Sequence, residues 1–268
     1  MNDKLDSMRY AGKVNVGAIE RGFEVAQPGV TTREIDAAME SFIREAGCTP
    51  SFKDYQPDGY PSPFPATACI SPNSVVVHGI PGDYVLEPGD LLTIDVGTEY
   101  NGWHVDAART RVIPGDMNGV QKQRSYEASD LIEATEAILE AQLSVVKNEC
   151  TFLQMILAAE AAAAKHEVII MPQWGGHEIG KKVHLPPFIP SAIHRTASKI
   201  KQQIEEKQFS RQTLVTGQTI CIEPVVTCGT NDIMIDEDGW TIRHTQHYLT
   251  AHTERCLLVT ENGYELLS

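Results

Sequence analysis

The chain has 268 residues, with 22 Lys+Arg against 36 Asp+Glu and a formal charge of −14. That balance excludes a protein built to grip a phosphate backbone or an anionic membrane, because both need a basic face. Hydrophobic residues make up 42%, enough for a sizeable core. The acid excess reads either as solvated surface or, in part, as carboxylates that hold cations.

The opening residues, MNDKLDSMRYAGKV, contain no apolar stretch of secretory type. No run approaches the roughly 18 apolar residues that a membrane helix needs. The longest candidate, Met155 to Ala164, is broken by Glu160 and reads as a buried helix. Cysteines at 48, 69, 150, 221, 228 and 256 form no C-x-x-C pair. They read as small buried hydrophobes of a reducing compartment, so a cytoplasmic protein is expected.

In chain order, Leu5, Met8, Val14, Ile19 and Phe23 are spaced for a helix that Pro28-Gly29 ends. Thr31 and Glu34 form a capping box for a second helix. Its apolar face is Ile35, Ala38, Met39, Phe42, Ile43 and Ala46, and Gly47 stops it. Residues 50–66 read as a long irregular loop. From residue 67 the pattern turns to strands: TACI, SVVVHGI, LLTIDVGTEY and WHVDAARTRVI, with turns at Pro81-Gly82 and Pro88-Gly89. Residues 120–147 are helical again. Thr151 and Gln154 form another capping box, opening a helix to about His166. The strands EVIIM, TICIEPVV, WTIRH, RCLLVT and YELL follow.

The order helix, helix, strands therefore occurs twice, which implies a duplicated α+β unit. Leu86–Asp95 and Leu214–Glu223 each place a Gly six residues before a carboxylate. Gly102-Trp103 precedes Asp106, and Gly239-Trp240 precedes Glu254. His78 opens HGIPG and His184 opens HLPPF. The second half carries about 22 extra residues, near 191–212. Two similar strand-turn-strand segments also arise by chance.

Asp95, Asp106, Glu223 and Glu254 each interrupt or adjoin an apolar strand. The turn at Tyr100-Asn101-Gly102 allows Asp95 and Asp106 to come face to face across a hairpin. A buried carboxylate without a partner costs about several kcal/mol, so four of them call for cations. Arg109 and Arg111 are the alternative partners for the first pair. His177, between Gly175-Gly176 and Gly180, has room for close backbone approach and is a fifth candidate ligand. An oxygen-rich set with one imidazole suits Mn²⁺, Fe²⁺, Co²⁺ or Zn²⁺, and five ligands suffice for two bridged ions. There is no G-x-S-x-G elbow, no P-loop and no H-E-x-x-H, and Cys69 and Cys221 lack an obvious paired histidine.

At these residues the sequence resembles the type I methionine aminopeptidases. The matching motifs are CISPNSVVVHGIP (69–81), TIDVG…GWHVD (93–106), GGHEIGKKVHLPP (175–187), TICIEPVV (219–226), DGW (238–240) and AHTERCLLVT (251–260). The HGIP motif favours the aminopeptidases over the related proline-specific peptidases. The resemblance implies one pita-bread domain over 1–268, with duplicated halves around a curved antiparallel sheet. It implies a monomer that removes the N-terminal methionine of new polypeptides through a water bridging two divalent ions. Asp95 would hold one ion, Asp106 and Glu254 would bridge both, and His177 and Glu223 would complete the other. Glu223 would move protons, His184 would polarise the scissile carbonyl, and His78 would contact the substrate. Cys69, Phe64 and Trp240 would line the methionine pocket, although Cys69 and Trp240 equally suit an ordinary core.

The chain departs from the family in three places. Val183-His184-Leu185 stands where the family has Phe-His-Glu, which removes an aromatic wall. Arg255-Cys256 replaces His-Thr, setting a cation beside Glu254 that would weaken metal binding or retune the water. Residues 54–62 match the pocket loop poorly. The insert is locally basic, with Arg195, Lys199, Lys201, Lys207 and Arg211 against Glu205 and Glu206. It reads as a solvated surface segment, or as a contact to the ribosome or a rim of the active-site mouth.

Overall fold

The computed structural model describes residues 3–194 and 198–268. Helix α1 spans Asp3–Val25 and buries Met8, Ala11, Val14, Ala18, Ile19 and Phe23. Helix α2 spans Thr32–Glu45 and opens with the expected capping box. Glu34 N–H donates to Thr31 Oγ1 at 3.3 Å, and Thr31 N–H donates to the Glu34 carboxylate at 2.8 Å. Gly47 follows it at φ +72°, a left-handed stop that glycine adopts at little cost. One turn of α2 carries a largely buried acid, Asp36, which accepts the Ala68 N–H at 2.9 Å. Burial raises its pKa to about 6. An acid raised in this way costs stability above pH ~4, where the unfolded chain ionises, and the cost grows until the folded pKa is passed. Asp36→Asn is therefore expected to be about 1 kcal/mol more stable than the unchanged protein at pH 8, with the gain gone near pH 3. Urea titrations at both pH values check this; an equal effect at both would refute it.

The first strands are β1 (Thr49–Pro50), β2 (Cys69–Pro72), β3 (Val75–Val77), β4 (Leu91–Tyr100) and β5 (Trp103–Val112). They form the order β1-β4-β2, with β5 on β4, and α1 and α2 pack on this sheet through Ile19, Met39, Ile70 and Ile94. Asn101 at φ 53° and Gly102 at φ +73° make a two-residue turn whose twist matches the strands. That turn pairs Tyr100 with Trp103 and fixes everything upstream: Asp95 opposes Ala108, and Asp106 opposes Gly97. The two acids are thus diagonal neighbours rather than face to face, because the register set by the loop leaves them two residues out of step.

Helix α3 (Gly119–Leu143) carries a capping box on Asn118 and Gln121, and α4 (Phe152–His166) the expected one on Thr151 and Gln154. Beyond them lie β6 (Ile169–Ile170), β7 (Gly175–Glu178), β8 (Leu185–Pro190), the insert helix α5 (Lys199–Phe209), β9 (Thr219–Ile222) and β10 (Val225–Thr227). The chain closes with β11 (Ile233–Ile235), β12 (Ile242–His244), β13 (Thr250–His252), β14 (Arg255–Val259) and β15 (Tyr264–Leu266). The sheets run β15-β14-β9-β7-β8, β13-β10-β6 and β11-β12-β3, all antiparallel. Helices lie against the outer faces and the sheets line the interior.

Two segments depart from their sequence pattern. TICIEPVV breaks into β9 and β10 because Pro224 has no N–H to offer a ladder. EVIIM contributes only Ile169–Ile170. The described helices include none long and apolar enough to cross a membrane. All six cysteines are free, and only Cys228 is exposed. Arg195 lies outside the described residues.

Candidate metal centre and substrate cavity

Four carboxylates meet where the two halves touch. Asp95 and Asp106 come from the β4–β5 hairpin. Glu223 directly follows β9 and Glu254 directly precedes β14. The ladder register is the same on both sides of Pro224, with Ile222 opposite Arg255 and Val225 opposite His252. Glu223 therefore faces Glu254 across the break. Glu254 N–H donates to the Ala108 carbonyl at 3.0 Å, stitching this pair to the hairpin. Ligand atoms of Asp95, Asp106 and Glu254 lie within 4.8 Å of one another, as do those of Glu223, His252 and Glu254.

His177 reaches the same place from β7. A Cβ at Gly176 would sit 1.9 Å from the Cys221 carbonyl oxygen, and one at Gly175 would sit 2.5 Å from that of Ile189. Only glycine lets β7 press this close to its neighbours. His177 Nδ1 donates to its neighbour's carbonyl, Glu178 O, at 3.0 Å. Its Nε2 is then a bare lone pair, 3.5 Å from Glu223 Oε1. Two acceptors facing each other in a buried site need a cation between them.

Among the described residues the carboxylates have no such partner. Asp95 Oδ1, Asp106 Oδ1, Glu254 Oε1 and His252 Nε2 are buried without a hydrogen bond. Neither arginine considered as an alternative reaches them. Arg109 donates to the backbone carbonyls of Ala108 and Glu254, and Arg111 pairs with Glu20. Burial, then mutual repulsion, pushes the Asp95, Glu223 and Glu254 carboxyls well above the usual range. Burial raises Asp106 to about 7. The donor set fits divalent ions that accept carboxylate and imidazole.

Above this floor lies a cavity of about 310 Å³ walled by Phe52, Tyr55, Tyr60, Phe64, Cys69 and Trp240, with His78 and His184 beside the acids. Trp240 Nε1 donates to Ser62 O at 3.0 Å, which fixes the indole. The Tyr60 ring stacks 4.0 Å from it and Phe64 meets it edge-on at 5.1 Å. Burial and nearby carboxylates raise the Cys69 thiol far above its ordinary pKa, so it stays an inert wall atom. His78 adopts φ 58° and is half-buried, with its Nδ1 enclosed and unpartnered. His184 is hydrogen-bonded to the Tyr55 hydroxyl through Nδ1 at 3.0 Å. His184 is exposed at its surface, yet desolvation by the surrounding walls, with the neighbouring His177 and His78, lowers its pKa to about 3.

Every residue expected from the sequence lies in this cavity or its floor. Tyr55, Tyr60 and His252 were not foreseen. The two tyrosines come from the poorly matching loop, whose only signal was aromatics among prolines. Val183 belongs to the buried cluster of Phe52, Phe64, Cys69 and Trp240, against which Tyr60 packs. Arg255 does not act as expected. Its guanidinium turns to Glu136 at 3.2 Å and to the Glu254 backbone carbonyl, so the carboxylate of Glu254 is left to the centre. No described residue of the insert lines the cavity.

A model of metallopeptidase family M24 matches residues 6–261, and the chain belongs to that family. Among curated relatives, the chain is 32% identical over 267 residues to a methionine aminopeptidase of Mycoplasma capricolum subsp. capricolum, covering 99% of this chain and 96% of the relative. It is 34% identical to a methionine aminopeptidase of Clostridium perfringens, with 99% and 96% covered. Among solved structures, the methionine aminopeptidase of Thermotoga maritima superposes with a TM-score of 0.83 at 26% identity, covering 100% of this chain and 97% of that one. The pita-bread architecture expected from the motifs is the one found.

Proposed function

We propose that this chain removes N-terminal methionine from peptides and new proteins, as a metal-dependent aminopeptidase holding two divalent ions. The observation that carries this reading is the set of unpartnered buried carboxylates under an aromatic, methionine-sized cavity. Asp95, Asp106, His177, Glu223 and Glu254 would hold the ions. When bound, such ions supply Lewis acidity and a water acidified toward neutrality.

The protein's own groups do the rest. Phe64, Cys69, Tyr60 and Trp240 enclose an unbranched thioether side chain, which fills an irregular apolar slot well. The Tyr55 hydroxyl donates to His184 Nδ1, so the ring proton sits on Nε2 and meets the substrate carbonyl oxygen as negative charge develops. Glu223 accepts the proton of the attacking water and returns it to the departing amine. His78 contacts the substrate on the opposite side. The acid-rich floor favours a free α-amine, which restricts cleavage to the first residue.

Release of Met from Met-Ala-Ser with Co²⁺ or Mn²⁺, set against release of Xaa from Xaa-Pro, tests the activity. Preference for Xaa-Pro would replace this reading with a proline-specific peptidase, and no turnover of either would make the chain a binding module. Tyr55→Phe is expected to lower kcat about fivefold with KM little changed, the worth of one hydrogen bond. An unchanged kcat would leave Tyr55 as wall only.

We read the chain as one catalytic unit that works as a monomer in the cytoplasm. The insert helix carries exposed Lys199, Lys201 and Lys207 on the surface of an acidic protein, and we read it as a contact to the ribosome. Deleting 193–211 should reduce co-sedimentation with ribosomes and leave tripeptide turnover intact; unaltered co-sedimentation would remove the proposal.

A further inference from the structure

We propose that His252 is a sixth protein ligand of the metal centre, through its Nε2. The inference rests on the metal reading above. Strand period places His252 on the same face of its segment as Glu254, two residues on. Its register opposite Val225 sets it diagonally across from Glu223.

The residue is locked in that position. His252 N–H donates to Thr110 Oγ1 at 3.1 Å, and Thr110 O–H donates back to the His252 carbonyl at 2.6 Å. The side chain is 3% exposed, with its ring at the floor of the cavity. Yet Nε2 has no hydrogen-bond partner. It stands 3.5 Å from Glu223 Oε2. An imidazolium donating to a carboxylate would close to about 2.7–2.9 Å. Donor atoms about 2.1 Å from one ion, at ordinary coordination angles, stand about 3.0–3.5 Å apart. His177 Nε2 lies at the same 3.5 Å from the other oxygen of Glu223. Glu223 is thus flanked by two imidazoles in equivalent positions. One is expected from the motif, and the other follows from the structure alone.

The test loads the full chain with one equivalent of Cu²⁺ and counts coordinated imidazoles by pulsed EPR, through the remote ring nitrogen. Two are expected in the unchanged protein and one in each of His177→Ala and His252→Ala. Calorimetric titration with Mn²⁺ should show binding at least about tenfold weaker in His252→Ala and in His252→Gln, each checked for folding by circular dichroism. One imidazole in the unchanged protein, lost in His177→Ala and kept in His252→Ala, would overturn the inference and leave the metal reading standing. Full Mn²⁺ affinity in His252→Gln would overturn it too, by showing that a hydrogen-bond donor suffices. If no ion binds the unchanged protein, the metal reading itself has failed.

Discussion

Glu223→Gln is expected to bind substrate and fold normally, yet lose about 10²–10⁴ in turnover of Met-Ala-Ser, the usual worth of a positioned acid–base. The amide keeps the shape and one acceptor but cannot take a proton. Glu223 is suited to that work by its surroundings. Burial and the nearby Asp106 raise its carboxyl well above the usual range in the metal-free protein. Its oxygens are held between His177 and His252, which fixes their direction. Steady-state kinetics with saturating metal check the prediction, with the metal content of the variant measured alongside. Retained kcat in a variant that holds its ions would remove Glu223 from the chemistry.

The second large effect is on stability. Stripping divalent ions with a chelator should lower the melting temperature by about 5–10 °C relative to protein in metal at a hundredfold excess over Kd. The linkage gain there is about 2.7 kcal/mol, and a chain of this length moves about 2–4 °C per kcal/mol. The sign of the pH dependence follows from the raised pKa values. In the stripped protein, the unfolded chain ionises these acids from pH ~4, while burial holds Asp106 protonated to about 7 and keeps the other three well above the usual carboxylate range. Its stability therefore falls as pH rises through that window. Ions need the carboxylates free of protons, so their stabilising effect grows over the same range. Scanning calorimetry at pH 5.5 and pH 8, with and without Mn²⁺, should show the larger gain at pH 8. An equal gain at both would mean that the acids are not the ligands.

Much of this was legible in the sequence because cost leaves a mark. Asp95 in TIDVG and Glu223 in ICIEPVV stand out as charges where apolar residues belong. Gly175-Gly176 stands out beside His177 because glycine is rarely placed in a strand without a reason. The capping boxes at Thr31 and Thr151 could be read at once, since the motif is local. Other parts left no mark. Strand β8 runs through LPPFIP, a composition that argues against a strand, and it forms because β7 lies beside it. Tyr55 and Tyr60 follow no period, so nothing short of the folded loop aims them at Trp240. His252 sits in an ordinary-looking Ala-His-Thr, and its importance arises only from a register shared across Pro224. Arg255 misled for a related reason: adjacency in sequence places it beside Glu254, while strand alternation sends its side chain the other way.

The seam between Glu254 and Ala108 has a consequence for the birth of the protein. Synthesis delivers Asp95 and Asp106 long before Glu223 and Glu254. A chain still emerging thus owns half of a basin and has nothing to close it. Hydrolytic power arrives late and all at once, when the final strands dock on the early hairpin. A chain that has not yet reached Glu254 therefore cannot assemble the centre, whatever its first half has already folded into.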